Sequence, residues 1–592
     1  MSKIIGIDLG NASIRAAVIE GGKPVMIPLD GAERMAGVIG RAQDGRLLFG
    51  DPADQMHKTD PTETVFSIRR AMDTGERLKF EGREYQADVF VTELLRHVLA
   101  CAEAYLGEKV RQAVLTVPND YYQYQRRAII KAAQQAGLEL VRPMNATDAV
   151  MLGRYYNVPG DSRKVMICDM GDSAFNIGLY EIGDQIFECL CIAGDLLTGG
   201  CTLDSALAKH VAEQYRAEMG VDLLADVLAT ERLRQAAREA RFRLARQAEA
   251  QVFVPYIVLA NGAPAHLNVT ITQKTSIALA SVGALNQVRA LAERVLREGL
   301  GKNSPDALDG VLLTAGSAMF PGLKKALGEV TRGKPMQVAE VDGLAAMGAA
   351  IQGGMMAGDL GNGVLLPVIP HSLGIETVGD VFSRLIERNT TIPVKQIQVF
   401  STATDGQTSV SVKVLEGDSE KVPENRIVSM KEIPVAKPGP KGVPQIEVTF
   451  EILADGLLEV TSRELPIKAE ESPPPPPPPP PPTPLSTLQS FVLAMLPTVD
   501  NLDMAIAATR RQVGGEAYAK GIQMTLDGML ASLRQMGVEE IAALGAAFDP
   551  MLHDAKAQTP GGKPGTIAEV YKRGFMMNGK VLRHAEVRVY RT

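Results

Sequence analysis

The stretch CDMGDSAFNIGLYEI, Cys168–Ile182, has the outline of a phosphate-binding hairpin. A strand is expected to end at Asp169, followed by a turn and a second strand through Ile177 and Leu179. Such turns use glycine so that backbone N–H groups can close on an anion with no Cβ in the way. Here Gly171 is followed by Asp172 and Ser173, and Asp172 brings a negative charge towards a phosphate. The chemistry suggested is nucleotide binding with an altered cradle, so binding and hydrolysis have to be considered separately.

The elements that must position this hairpin alternate along residues 1–360. Strand-like runs (KIIGIDLG, QAVLTVP, KVMICDMG, GVLLTAG) are interleaved with helical ones (QRRAIIKAAQQAGLEL, ERLRQAAREARFRLARQ), which predicts an α/β module. A connector, residues 361–372, contains GNGVLLPVIP. Residues 373–470 read as short strands with turns, a β-sandwich. TSVSVKV puts Val410, Val412 and Val414 on one face, and ADG, Ala454–Gly456, is a hairpin turn. Residues 471–484 carry ten consecutive prolines, Pro473–Pro482, a stiff polyproline II spacer on the order of 30 Å long. It reads as a plain linker before a docking site for an SH3-type partner. Residues 485–592 hold two amphipathic helices and a β-rich end. Ile522, Leu526, Met529, Leu530 and Leu533 form a helical stripe that two helices alone are not expected to bury, so bundling or dimerisation is expected.

Composition narrows the class. A chain of 592 residues is too long for one core. A formal charge of −7 without a basic block argues against nucleic acid or an anionic membrane as main partner. No run is long enough for a transmembrane helix, and the start MSKIIGIDLG is not a signal peptide. The five cysteines lack zinc-finger spacing and read as reduced thiols, and the seven scattered histidines suggest neither a metal site nor a triad. Cys189 and Cys191 read as strand residues facing one way. Cytoplasmic location is the expectation.

Two resemblances follow from longer stretches. Residues 1 to about 470 resemble the 70-kDa heat-shock chaperones of DnaK type, through IIGIDLG, AVLTVP, GLELVRPMNAT, DMGDSAF, AGDLLTGGCTLD, GSAMFP, HSLGIETVGD, NTTIPVKQIQVFSTA and GVPQIEVTFEILADGLLEV. Residues 485–592 resemble GrpE, the nucleotide exchange factor of that chaperone, through FDPMLHDA and GFMMNGKVLRHAEVRV. The resemblance implies an actin-like ATPase fold closing on ATP or ADP with magnesium, then a β-sandwich that binds peptides, then a GrpE-like α+β end with helices and a small β domain. By position it places the peptide groove at Ile375, Val378, Phe400, Ala403, Val410 and Val412, residues that could equally be sandwich core. A groove of this kind pairs backbone with an extended strand and selects apolar side chains.

At the implied nucleotide site, Asp8 and Gly10 are kept, and Asn11 and Ala12 replace two threonines. The family's catalytic lysine falls on Arg69, whose planar fork does not reproduce a point charge. The glutamate that orders magnesium-bound water falls on Ala146, with Asp148 nearby. In the second hairpin Asp169 and Gly171 are kept, while Asp172, Ser173, Ala174 and Asn176 depart from the pattern. Gly199 and Gly200 are kept. The adenosine contacts fall on Arg238, Arg241, Ala245, Gly316 and Ser317. Asp8 and Asp169 are the implied outer-shell magnesium ligands and, with Arg69 and Asp148, the implied catalytic set. Phosphoryl transfer rests on positioning and charge neutralisation by groups that act as a unit. Loss of several predicts absent or very slow hydrolysis, a pseudo-ATPase, and leaves nucleotide binding open. Pro367 stands where an acidic residue is usual in the connector, and is expected to cost a docked linker strand a hydrogen bond.

Three functions follow from the resemblance. The first is a chaperone-like binder of unfolded or extended polypeptides, its GrpE-like helices making a homodimer. The second is a regulator of a separate intact DnaK-type chaperone. The third is an ATP-driven chaperone with exchange built in, the tether giving an effective concentration of order mM. A J-domain co-chaperone is a further implied partner. A sugar kinase of the actin-like superfamily explains neither the sandwich nor the GrpE-like end.

Overall fold

In the computed structural model, the described residues are 3–160, 162–260, 263–301, 305–314, 316–339, 342–361, 363–377, 380–465, 487–509, 516–535, 537–577 and 579–591. The chain divides into two compact units, Met1–Lys468 and Ala469–Thr592.

The first unit is built on two six-stranded sheets. In one, Ile4–Leu9 is central, parallel to Gln112–Val117 and antiparallel to Ser13–Glu20. Its residues are buried with little alternation, as expected of a strand covered on both faces. In the other, Arg163–Met170 is parallel to Gly310–Thr314 and antiparallel to Phe175–Gly183. The expected hairpin is therefore present, with its first strand one residue longer. The helices Ala146–Tyr155 and Leu344–Ala357 pack together beside the sheets. They meet at backbone distance: a Cβ on Gly348 would lie 1.7 Å from the Ala149 carbonyl oxygen, so only glycine fits there.

The sandwich follows, with a four-stranded sheet and a three-stranded sheet. Val410, Val412 and Val414 of Ser409–Glu416 are all buried between them, as the alternation predicts. Ala454–Gly456 turns the chain between Gln445–Ile452 and Leu458–Glu464, with Gly456 at a φ of +79°.

The connector corrects an expectation. Val364–Leu366 docks as a strand, parallel to Ile186–Asp195 in the second sheet. Pro367 comes immediately after it and terminates the strand, so its missing N–H costs the ladder nothing. The Pro367 carbonyl accepts from Ile392 N at 2.9 Å, which ties the end of the connector to the sandwich.

In the second unit, helices Thr487–Thr509 and Glu516–Gln535 pack with two three-stranded sheets. Leu526, Leu530 and Leu533 are buried against Val492, Leu496, Val499 and Phe575, with Ile522 and Met529 half covered. The stripe is therefore covered within the chain, and the inference of a homodimer from an unpartnered stripe loses its physical ground. Arg583 forks onto Asp500 at 2.6 and 2.7 Å, and Arg573 reaches Asp503 and Glu540, each at 2.8 Å. These paired charges clamp the β-rich end to the first helix. Among the described residues no helix is long and apolar enough to cross a membrane.

Candidate functional site

Two parallel strand pairs set the site. The strands Ile4–Leu9 and Gln112–Val117 run side by side with Ile7 opposite Leu115, which brings Asp8 beside Thr116. In the other sheet Asp169 is opposite Thr314. The Thr116 hydroxyl donates to Asp8 and the Thr314 hydroxyl to Asp169, both at 2.7 Å. Asn176 adds a 3.2 Å bond to the second Asp169 oxygen. Burial pushes the Asp169 carboxyl up, and the Asp8 charge adds to this against the Thr314 bond. Two carboxylates facing one cleft with few protein donors suit a hydrated divalent cation.

The cleft between the lobes holds a cavity of about 360 Å³. Asp8, Gly10, Asn11, Arg69, Asp169, Gly171, Arg238, Arg241 and Gly316 all line it, so most of the residues singled out from sequence converge there. Only the backbone placement of Ser317 is described, in the short turn Gly316–Met319.

Three departures from the sequence reading concern how these residues are engaged. Arg69 is buried; it pairs with Asp73 at 3.1 Å and donates to the Ser173 hydroxyl of the other lobe. Its fork is therefore already engaged by protein. Arg241 is buried in a two-pronged pair with Asp204, at 2.5 and 3.3 Å. Asp148 is not brought to the cleft at all. It is buried behind it, accepting from Tyr180 at 2.8 Å and Asn145 at 2.9 Å, and burial pushes it up to about 6. It cannot stand in for the glutamate replaced by Ala146.

Asp172 is the decisive residue. It accepts from Asn11 Nδ2 at 2.7 Å and pairs with Arg238 at 3.5 Å, joining the two lobes in a clasp. Asn11 is in turn fixed by Arg70 N, which donates to its Oδ1 at 3.0 Å. Beyond the clasp a second cavity of about 380 Å³ opens, lined by His57, Glu231 and Arg234. At the tip of the hairpin Gly171 N donates to Ala174 O, and the facing helix start closes on the turn, Gly200 N donating to Gly171 O and Cys201 N to Asp172 O. Gly199 has to be glycine here, since a Cβ would lie 2.4 Å from the Asp172 carbonyl oxygen. The metal end of the site therefore fits the family's cofactor, whereas the phosphate end is occupied by the Asp172 side chain and its partners. Sequence reasoning missed Thr116 and Thr314, whose matching places at the ends of TVP and TAG were the available signal. It also missed Phe242, which lines the cavity near Gly316.

The sandwich is seated on the first lobe. Gln123 is buried at this seam: its N–H donates to Glu416 at 2.8 Å, its Nε2 to Gly456 O at 2.8 Å, and its Oε1 accepts from Leu458 N at 2.9 Å. Arg127 and Arg142 donate to Leu458 O and Ala454 O. A second seam joins Arg388 and Asn389 to Glu298. Of the implied groove positions, Ile375, Val410 and Val412 lie in the sandwich core and Phe400 packs half-buried against it. Ala403 is exposed, and Val378 lies outside the described residues.

The seam is held at low pH and weakened as pH rises. Burial pushes Glu416 up to about 7 and Asp120 up to about 6. His371, between Asp120 and Asp418, is raised: burial opposes this, but the Asp418 bond and the Asp120 charge prevail. All three hold protons when docked that they lose when freed. The contribution of the two carboxyls is full below the ordinary carboxylate range and is lost as pH rises through about 6 to 7, and that of His371 is full below the ordinary imidazole value and is lost above it. Raising pH from 5.5 to 8 is therefore expected to loosen the sandwich, read as faster protease cleavage in residues 361–372.

A two-sheet α/β module with paired strand-end aspartates, carrying a seated β-sandwich, defines a nucleotide-cleft class of protein joined to a sheet-rich module. The family model described as Hsp70 protein matches residues 4–77 and 73–473, and the GrpE model matches residues 486–591. The chain is 38% identical over 477 residues to Chaperone protein DnaK of Methanothermobacter thermautotrophicus, covering 79% of each. The chain belongs to the Hsp70 family, as a DnaK-type chaperone carrying a GrpE-like region at its C-terminal end.

Proposed function

We propose that this chain is a chaperone that binds unfolded or extended polypeptides through its sandwich, and that its actin-like first module, residues 1–360, is a pseudo-ATPase. The clasp of Asp172 with Asn11 and Arg238 carries this reading, because it puts a carboxylate and its partners where a phosphate would be cradled. The engagement of Arg69 by Asp73 and Ser173, and alanine at position 146, support loss of hydrolysis. Asp8 and Asp169 would hold hydrated magnesium, which when bound with ATP or ADP supplies charge neutralisation. Thr116 and Thr314 hold those carboxylates in place. The sandwich, residues 373–470, is assigned peptide binding by family membership. Exposed Ile397 and Val399 on the edge strand Val394–Ser401 are consistent with backbone pairing to an extended segment.

The test is calorimetric titration with ATP and with ADP in magnesium, with phosphate release followed in the same samples and an unfolded reporter polypeptide added separately. Polypeptide binding without phosphate release is expected. Turnover at rates typical of an ATP-driven chaperone overturns the pseudo-ATPase reading.

A second reading is favoured by the GrpE match, which spans nearly all of residues 485–592. In it, that module exchanges nucleotide on a separate intact DnaK-type chaperone. Faster ADP release from such a chaperone on addition of this protein is the outcome that selects it.

A further inference from the structure

Away from the nucleotide cleft, three side chains of different chemistry meet at the surface of the first lobe. His97 and Cys101 are one turn apart on the helix Ala87–Leu106, so both face the same way. Asp30 sits opposite them in a tight turn, where Leu29 and Ala32 pair and Asp30 and Gly31 have φ of +51° and +83°. The His97 Nε2 lies 2.8 and 3.0 Å from the Asp30 oxygens and 3.8 Å from Cys101 Sγ, and Cys101 Sγ lies 3.7 Å from Asp30 Oδ1. Among the described residues no other such set of histidine, cysteine and acidic side chains comes together.

The distances bear on what the cluster can do. In a tetrahedral zinc site the ligand bond lengths require sulfur–nitrogen and sulfur–oxygen separations of about 3.5 Å and a nitrogen–oxygen separation of about 3.3 Å. The three donors are already within a few tenths of an ångström of those edges. A Cys–His–Asp relay is not built here, because Asp30 and Cys101 both address the same ring nitrogen, where a relay needs one on each. The ring itself is held by Phe49, stacked on it at 4.4 Å and 12°. A thiolate, an imidazole and one carboxylate form a donor set for a borderline-soft transition ion, unlike the all-oxygen shells of magnesium and calcium.

We infer that Asp30, His97 and Cys101 form a binding site for a zinc-class divalent ion, with the fourth coordination position open to solvent. The ion would pin the Leu29–Ala32 turn to the helix Ala87–Leu106. The inference stands apart from the nucleotide-site reading, since none of its residues lines that cleft.

Cobalt serves as the probe. The full chain, metal-stripped, kept reduced without thiols and held in excess magnesium so that Asp8 and Asp169 are occupied, is titrated with Co²⁺. The expected result is one equivalent bound with a thiolate-to-cobalt charge-transfer band, displaced by Zn²⁺. Cys101→Ser should abolish the band. His97→Gln and Asp30→Asn should weaken binding by more than the roughly 10–100-fold typical of losing a supporting hydrogen bond. Absence of the band, or its persistence in Cys101→Ser, overturns the site. A second measurement needs no variant: Zn²⁺ should slow alkylation of Cys101 and leave Cys201 unchanged, and equal reactivity of Cys101 with and without Zn²⁺ also overturns it.

Discussion

Asp172→Gly is expected to raise affinity for ATP in magnesium by about 10–100-fold, measured by calorimetric titration against the unaltered chain. The Asp172 carboxylate is 12% exposed and spans the lobes between Asn11 and Arg238. A phosphate entering this position meets a like charge at contact distance, worth about 4 kcal/mol at an effective dielectric constant of 20. Arg238 offsets part of that, so a net effect of about 1.4–3 kcal/mol is the reasonable scale. The substitution also frees Asn11 Nδ2 and the Arg238 guanidinium to face the anion. Asp172→Asn separates charge from shape: it removes the repulsion but keeps a side chain in the cradle. If both variants gain equally, the charge was the barrier; if only glycine gains, the obstruction was steric. Unchanged affinity in both removes the clasp as a determinant of nucleotide affinity. Neither variant is expected to raise turnover, because Arg69 stays paired with Asp73 and position 146 still lacks a carboxylate.

What was legible in the sequence follows chain-local physics. Strand ends fix where Asp8 and Asp169 point, and the period-2 pattern of TSVSVKV fixes which face Val410, Val412 and Val414 bury. The glycines at 10 and 199 mark close backbone approaches whatever the ligand. What could not be read depends on partners far along the chain. Asn11 meets Asp172 across 161 residues, and Arg241 is claimed by Asp204, a carboxylate with no motif of its own. Asp148 sits two residues from Ala146, yet a helix turns it to the opposite side, against Tyr180. The effect of Pro367 depends on where the docked strand stops, and it stops one residue before the proline. The helical stripe in Glu516–Gln535 is covered by Val492, Leu496 and Phe575, the last some forty residues further along the chain, so a local pattern gives no sign of its cover.

The largest effect on the arrangement of the modules is expected from Gln123→Ala. Gln123 is the first residue of the helix Gln123–Ala136, so its own N–H has no partner within the helix and donates to Glu416 instead. Its side chain then closes on the C-terminal side of the hairpin turn Ala454–Gly456, donating to Gly456 O and accepting from Leu458 N. Alanine leaves that carbonyl and that N–H buried without partners, at about 1–3 kcal/mol each. The docked-to-free ratio should fall by about 10²-fold, since 1.4 kcal/mol is a factor of ten. A larger radius of gyration by small-angle scattering, or lower energy transfer between probes on the two modules, is the readout. Glu298→Ala is the contrast: its partners Arg388 and Asn389 are only part-buried, water can replace it, and a smaller shift is expected. If Gln123→Ala leaves the profile unchanged, docking rests on the strand Val364–Leu366 and the Glu298 seam. The seam would then report the state of the second sheet, to which that strand is paired, and not the first lobe on which the sandwich rests.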